Sequence, residues 1–121
     1  MNKKFLNWLF VVLWMLVIFY FSSLPELSSD LPSAWDFILR KIAHAAEYAI
    51  LTFLLLRAFF AHQIPIKKAL VLAALLAVLY AISDEYHQSF VFGREAAVRD
   101  VLIDSIGILG VALYKWGARN K

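Results

Sequence analysis

The sequence contains no cysteine, which excludes disulfides, thiolate metal sites and cysteine nucleophiles. Proline and glycine are few, three and four residues, so no linker or low-complexity tract is present and little interrupts a long helix. Charge is sparse at 17% of residues. Internal repeats are absent, and 121 residues are enough for one domain and no more. What fills the chain is apolar: 63% of it, where a soluble domain has roughly 45–50%. That excess points to a membrane rather than to a large soluble core. A net charge of +3 on a soluble protein would hint at nucleic acid. Here the basic residues stand between apolar runs, so topology accounts for them and no nucleic-acid partner is expected.

Four apolar segments organise the chain. They cover residues 5–21, 42–61, 66–88 and 98–116, the third continuing past its oily part to Gln88. A bilayer's hydrocarbon core takes roughly 20 such residues per helix, within about 17–25, and all four suffice. Lys3 and Lys4 precede the first segment as they would in a signal peptide. That segment is long for a signal h-region and offers no small-x-small cleavage site, so it reads as a retained helix. Pro65 is expected at the first helical position of the third segment. The connection of residues 22–40 contains Pro25 and Pro32, which break any continuous helix. A short interfacial helix is expected from Ser33, with Asp36 three residues on and Trp35 at headgroup level. The expected fold is all-α, a polytopic bundle of four transmembrane helices.

Cytoplasmic loops carry the excess of lysine and arginine. Lys3 and Lys4 at the start, Arg57, Lys67 and Lys68 around the second connection, and Lys115, Arg119 and Lys121 at the end have no acid beside them. The first connection instead sets Glu26, Asp30 and Asp36 against Arg40 and Lys41, and the stretch from Asp84 to Asp104 sets five acids against Arg94 and Arg99. Both termini are therefore expected in the cytoplasm, and these two connections outside.

An ionisable side chain within a span commonly costs ~2.5–3.5 kcal/mol on insertion scales, so function is its default reading. Helical spacing places Lys41, His44 and Tyr48 within about 60° of one another, with Glu47 about 60° beyond His44. Tyr80, Ser83, Asp84 and His87 are spaced i, i+3, i+4, i+7 and form one stripe, leaving Glu85 and Gln88 to the side. Asp100 and Asp104 are i, i+4, and Gly107 continues their face. Gly107 and Gly110, like Ala43, Ala45 and Ala46, leave room for a close neighbour. In the expected orientation all three polar faces occupy the outer half of the membrane and meet at one depth. Any one of these residues could simply lock two helices in register through an ion pair. The whole cluster favours a pocket in which Lys41 and Arg94 receive an anionic headgroup or phosphate.

The pattern R-K-x-x-H-x-x-E-Y, then S-D-E-x-H-Q-x-F-x-x-G-R, then D-x-x-x-D-x-x-G, resembles the VanZ-like family of small bacterial membrane proteins. Phe21–Pro25 is similar to that family's opening of the first outer loop. The likeness runs from the first helix to the last. It implies a multi-pass protein of the bacterial cytoplasmic membrane, related to one linked with teicoplanin resistance. It also implies signature residues at Lys41, His44, Tyr48, Asp84, Glu85, Gln88, Gly93, Arg94 and Asp100. Asp104 stands where the family shows Asp or Asn, while His87 and Glu47 match some members. Phe92 departs from the proline common just before the Gly-Arg pair, which leaves that turn to Gly93.

The imidazole and carboxylates of His44, Asp84, Glu85 and Asp100, beside fixed positive charge, suit acid–base chemistry on a lipid-linked phosphate or polar headgroup. Lys41, Tyr48, Gln88 and Arg94 are expected to hold the substrate, and Glu47, His87, Gly93 and Asp104 to support them. No cofactor is indicated. A divalent metal stays open, because carboxylates with imidazole bind Zn²⁺ or Mn²⁺, although H-A-A-E and D-E-Y-H are weak metal patterns. The expected partners are membrane lipids or a lipid-linked cell-wall intermediate, and an oligomer is compatible with the sequence. Two other readings stay in view. One is a binder of lipid or lipoglycopeptide without chemistry. The other is proton-linked transport through Glu47 and Asp104, disfavoured because no repeat symmetry is visible.

Overall fold

The computed structural model of the chain describes residues 2–23, 33–90 and 98–119. It is built of four helices, and among the described residues there is no strand. Helix α1 is Lys3–Ser22, α2 is Ser33–Ala61, α3 is Ile66–Gln88 and α4 is Val98–Arg119. Each holds a stretch of at least 20 residues that is long and apolar enough to cross a bilayer. At about 1.5 Å per residue, twenty residues match a hydrocarbon core of ~30 Å. The chain therefore has the make-up of a multi-pass membrane protein.

Local signals set the helix ends. Asn2 caps α1, its side-chain oxygen accepting from the Lys4 backbone N–H at 2.7 Å. Helix α2 departs from expectation. In place of a separate interfacial helix and a span beginning at Ile42, one unbroken helix of 29 residues starts at Ser33. The physical reason is that no proline or glycine stands between Ser33 and Ile42. Arg40 and Lys41, at the mouth of the span, have stems long enough to bring their charges to headgroup level.

Helix α2 ends in a left-handed turn at Gln63, φ 61°. The backbone N–H groups of Gln63 and Ile64 donate to the carbonyls of Phe60 and Phe59, the paired bonding of a Schellman cap, where glycine is usual. Pro65 is the N-cap of α3 rather than its first helical residue, one position short of expectation. Its carbonyl accepts the first helical bond, from Ala69 N–H at 2.9 Å.

Helix α2 touches all three others, α3 touches α1, α2 and α4, and α1 does not meet α4. Neighbouring helices alternate in direction. Trp8, near the start of α1, packs edge-on against Phe59 near the end of α2. Lys67, at the start of α3, lies over the Trp116 ring near the end of α4. At the opposite end Phe19 of α1 stacks on His87 of α3, and Lys41 of α2 meets Asp100 of α4.

The interior is made with small residues. Ala69, Ala73, Ala77 and Ala81 form one stripe along α3 with no exposed surface. Val11 and Ile18 of α1, Tyr48, Leu51, Leu55, Leu56, Ala58 and Phe59 of α2 and Ile108 of α4 join it in the core. Without water as a driving force between helices, such close approach supplies the packing energy. The outer faces carry Leu75, Leu79, Ile106 and Leu113, all exposed, as a lipid-facing surface requires.

Charge is divided between the two ends. Glu47, Asp84, Glu85, Asp100 and Asp104 lie toward the end where α2 and α4 begin. The other end carries Lys3, Lys4, Arg57, Lys67, Lys68 and Lys115 and, among the described residues, no acid.

Candidate functional site at the polar end of the bundle

Three contacts descend from the polar end like rungs, with α2 as the common upright. At the mouth, Lys41 Nζ donates to Asp100 Oδ1 of α4 at 2.5 Å. About one turn deeper, His44 Nδ1 lies 3.9 Å from Asp104 Oδ1 of α4 and 3.8 Å from Glu47 Oε2. Another turn down, the Tyr48 hydroxyl donates to Asp84 Oδ2 of α3 at 2.9 Å. Lys41 and Tyr48 are seven residues apart, about 10 Å along the helix axis. The polar column therefore reaches well into the span. Thr52 ends it, its hydroxyl satisfied by the carbonyl of Tyr48.

The first two rungs meet because α2 and α4 touch at the level of their backbones. A Cβ added at Gly107 would come within 2.1 Å of the Ala45 carbonyl oxygen. Only glycine fits there, and it lies one turn below Asp104. The close approach expected of Gly110 is absent, since nothing lies within 4 Å of its added Cβ. Of the three alanines expected to admit a neighbour, Ala45 is the one at this contact, and Ala43 and Ala46 are exposed.

Asp104 has the most demanding environment of the group. It is 1% exposed, and its Oδ1 accepts no hydrogen bond among the described residues. The carboxylates of Asp84, Glu85, Asp100 and Glu47 all act on it through space. A buried carboxylate oxygen without a donor is costly. The 3.9 Å to His44 Nδ1 is too long for a hydrogen bond and short enough for a side-chain rotation to close.

The structure turns α3 differently from the spacing argument. Its buried polar face is Asp84, Glu85 and Gln88, so Glu85 and Gln88 do not stand aside. Ser83 is exposed and donates to the Tyr80 carbonyl. The Tyr80 hydroxyl donates to the Met15 carbonyl of α1 at 2.6 Å. His87 stacks on Phe19 with ring centroids 4.5 Å apart. Of the expected stripe only Asp84 joins the rungs. Gln88 reaches toward α1, where its Nε2 meets Ser22 Oγ at 3.3 Å. The reason is the alanine stripe: Glu85 follows Ala81 by four residues, so the polar face continues the face that the alanines bury.

Sequence reasoning missed Ser22 and Thr52, and also Trp14, whose indole N–H donates to the Glu47 carbonyl at 2.9 Å. No spacing rule singles out such lone partners. Gly93 and Arg94 lie outside the described residues. Among the described residues no group of three or more His, Asp or Glu side chains is disposed to hold a metal ion.

A family model described as VanZ/LLP1 matches residues 5–118 of the chain. No curated protein and no solved structure matches it.

Proposed function

The chain belongs to the VanZ/LLP1 family, and on that footing we propose that its polar end receives the anionic headgroup of a lipid or lipid-linked envelope intermediate and carries out proton transfer on it. The observation that supports this reading is Asp104, a buried carboxylate whose Oδ1 has no hydrogen-bond donor among the described residues, 3.9 Å from an imidazole and below an ion pair. Lys41 is the group an incoming phosphate competes for, because a phosphate oxygen offers it the same charge-assisted hydrogen bond as Asp100. Arg94 is the second cation in this reading. Glu47 and Asp104 both approach His44 at Nδ1, so a proton on that nitrogen has two carboxylates near enough to take it, an arrangement suited to general acid–base work. Tyr48 holds Asp84 in place, and Glu85 and Gln88 line the neighbouring face of α3.

In this reading the polar end faces outward and the basic end faces the cytoplasm, as the loop charges indicate. The headgroup is then one of the outer leaflet, and altered tolerance to teicoplanin is the phenotype to examine. A second reading, binding without chemistry, draws support from Lys41–Asp100 and Tyr48–Asp84, which are closed on each other.

Incubating the purified protein with labelled outer-leaflet lipids separates the two. Turnover to product is expected, and stoichiometric retention without product would leave only the binder. His44→Ala and Asp104→Asn are each expected to abolish turnover while the protein still inserts and accumulates. Full activity in both variants ends the proposal. Cysteine placed at Ser89 should react with an impermeant reagent from outside, and at Gln63 from inside. The reverse pattern would move the site to the other leaflet.

A further inference from the structure

A groove along the seam of α1 and α2 lies apart from the polar rungs. It is open along its length, has a volume of about 340 Å³ and is lined by Phe10, Leu13, Trp14, Val17, Leu54 and Arg57. Five of these are apolar and the sixth is a guanidinium. Arg57 is exposed and has no ion pair or hydrogen bond among the described residues. It falls within the membrane-crossing stretch Ile38–Ala61, about one turn before its end. A charge at that depth must extend to headgroup level to keep its solvation. From there the α1 wall, Phe10 to Val17, runs about 10 Å deeper, some two-thirds of the ~15 Å that one leaflet contributes to the hydrocarbon core. Trp14, tied to the Glu47 carbonyl, keeps that wall in place.

We propose that this groove binds an anionic phospholipid of the leaflet at the basic end, with the phosphate on Arg57 and one acyl chain along Phe10, Leu13 and Val17. A purely apolar trough would accept any lipid in any pose. One guanidinium at its rim selects the phosphate and fixes which way the chain runs. The surroundings favour a negative headgroup, since Lys3, Lys4, Lys67, Lys68 and Lys115 share that end with no acid among the described residues. The same absence argues against a second copy of this chain as the occupant. Docked there, it would cover Arg57 without bringing a described carboxylate to that end. The site is independent of the one proposed above: Arg57 is sixteen residues from Lys41 along α2, about 24 Å.

Native mass spectrometry of the protein in detergent with equimolar phosphatidylglycerol and phosphatidylcholine tests this. The wild type is expected to retain phosphatidylglycerol preferentially. Arg57→Gln, a change at an exposed side chain, is expected to lower that retention roughly tenfold. Lys68→Gln removes the same charge at the same end but does not line this groove, and should change retention by less than about twofold. Leu13→Trp fills the groove and should lower retention with Arg57 intact. Equal losses in Arg57→Gln and Lys68→Gln would reduce the effect to diffuse attraction and overturn the site. So would equal retention of both lipids by the wild type. Disulfide cross-linking of Leu13→Cys between copies in bilayers would hand the groove to a second copy.

Discussion

Helix α2 makes two long seams, and they are built on different principles. Its seam with α4 is tight and polar. Gly107 sits on the Ala45 backbone, and the Lys41–Asp100 pair and the close approach of His44 to Asp104 stack above that contact. Its seam with α1 is looser and aromatic. Trp8 packs edge-on against Phe59 and donates from its indole N–H to His62 just past the end of α2, and Trp14 donates to the Glu47 carbonyl. Cavities of about 390 and 340 Å³ open beside α1, the first lined by Met15, Leu51, Leu76 and Tyr80 among others. Both seams hold helices in lipid, where apolar contact with a neighbour is scarcely better than contact with an acyl chain. Only the tight seam specifies a register to within one residue, because a glycine notch and polar partners fit in a single way. A site needing side chains from two helices at fixed distances belongs on that seam.

Three sets of substitutions would break or sharpen the contrast. Gly107→Val drives a side chain into the Ala45 backbone, so the helices must part and carry the rungs with them. A loss of about 3 kcal/mol or more is expected in denaturant unfolding, against a change within about 0.5 kcal/mol for Gly110→Val, which enters open space. Next, Asp100→Ala removes the carboxylate that holds Lys41 to α4. Its expected cost is roughly 2–3 kcal/mol, below the fully buried range because both side chains keep some exposure. Pairing it with Lys41→Met should recover most of that loss. If the double variant is no better than the single, the ion pair is not what Asp100 contributes. The smallest effect belongs to the loose seam. Trp14→Phe removes one interhelical bond, worth about 0.6 kcal/mol in a bilayer, and should leave activity at the polar end unchanged. A fall in activity there would mean that α1 holds Glu47 and His44 in position.

Much of this arrangement could be read from the chain. Helix number and type follow from the length of the apolar runs. That Lys41 stands level with Asp100, and His44 with Asp104 one turn deeper, follows from alternating helix direction and i, i+3, i+4 spacing. The rotation of α3 did not follow. Two stripes on that helix obey the same spacing rule, one through Ser83 and His87 and one through Glu85 and Gln88. The rule has no term for what lies opposite. The repeat of alanine at 69, 73, 77 and 81 was the usable signal, because a face of small residues is one that neighbours crowd. The start of α2 at Ser33 departs from the hydropathy boundary for a related reason. Hydropathy marks where lipid contact begins, whereas a helix continues until its backbone is interrupted, and no residue from 33 to 42 interrupts it.

By itself, then, the sequence determined four apolar helices, their alternation, and one end that mixes acids with bases opposite one that is basic alone among the described residues. These depend on composition and period, which are local. The tertiary structure alone decided that Gly107 rather than Gly110 meets α2, that Gln88 turns to Ser22, and that one oxygen of Asp104 is buried without a hydrogen bond among the described residues. These depend on how one helix is rotated and raised against another. That choice is made by the sum of many weak contacts across a seam, and no single stretch of chain contains it.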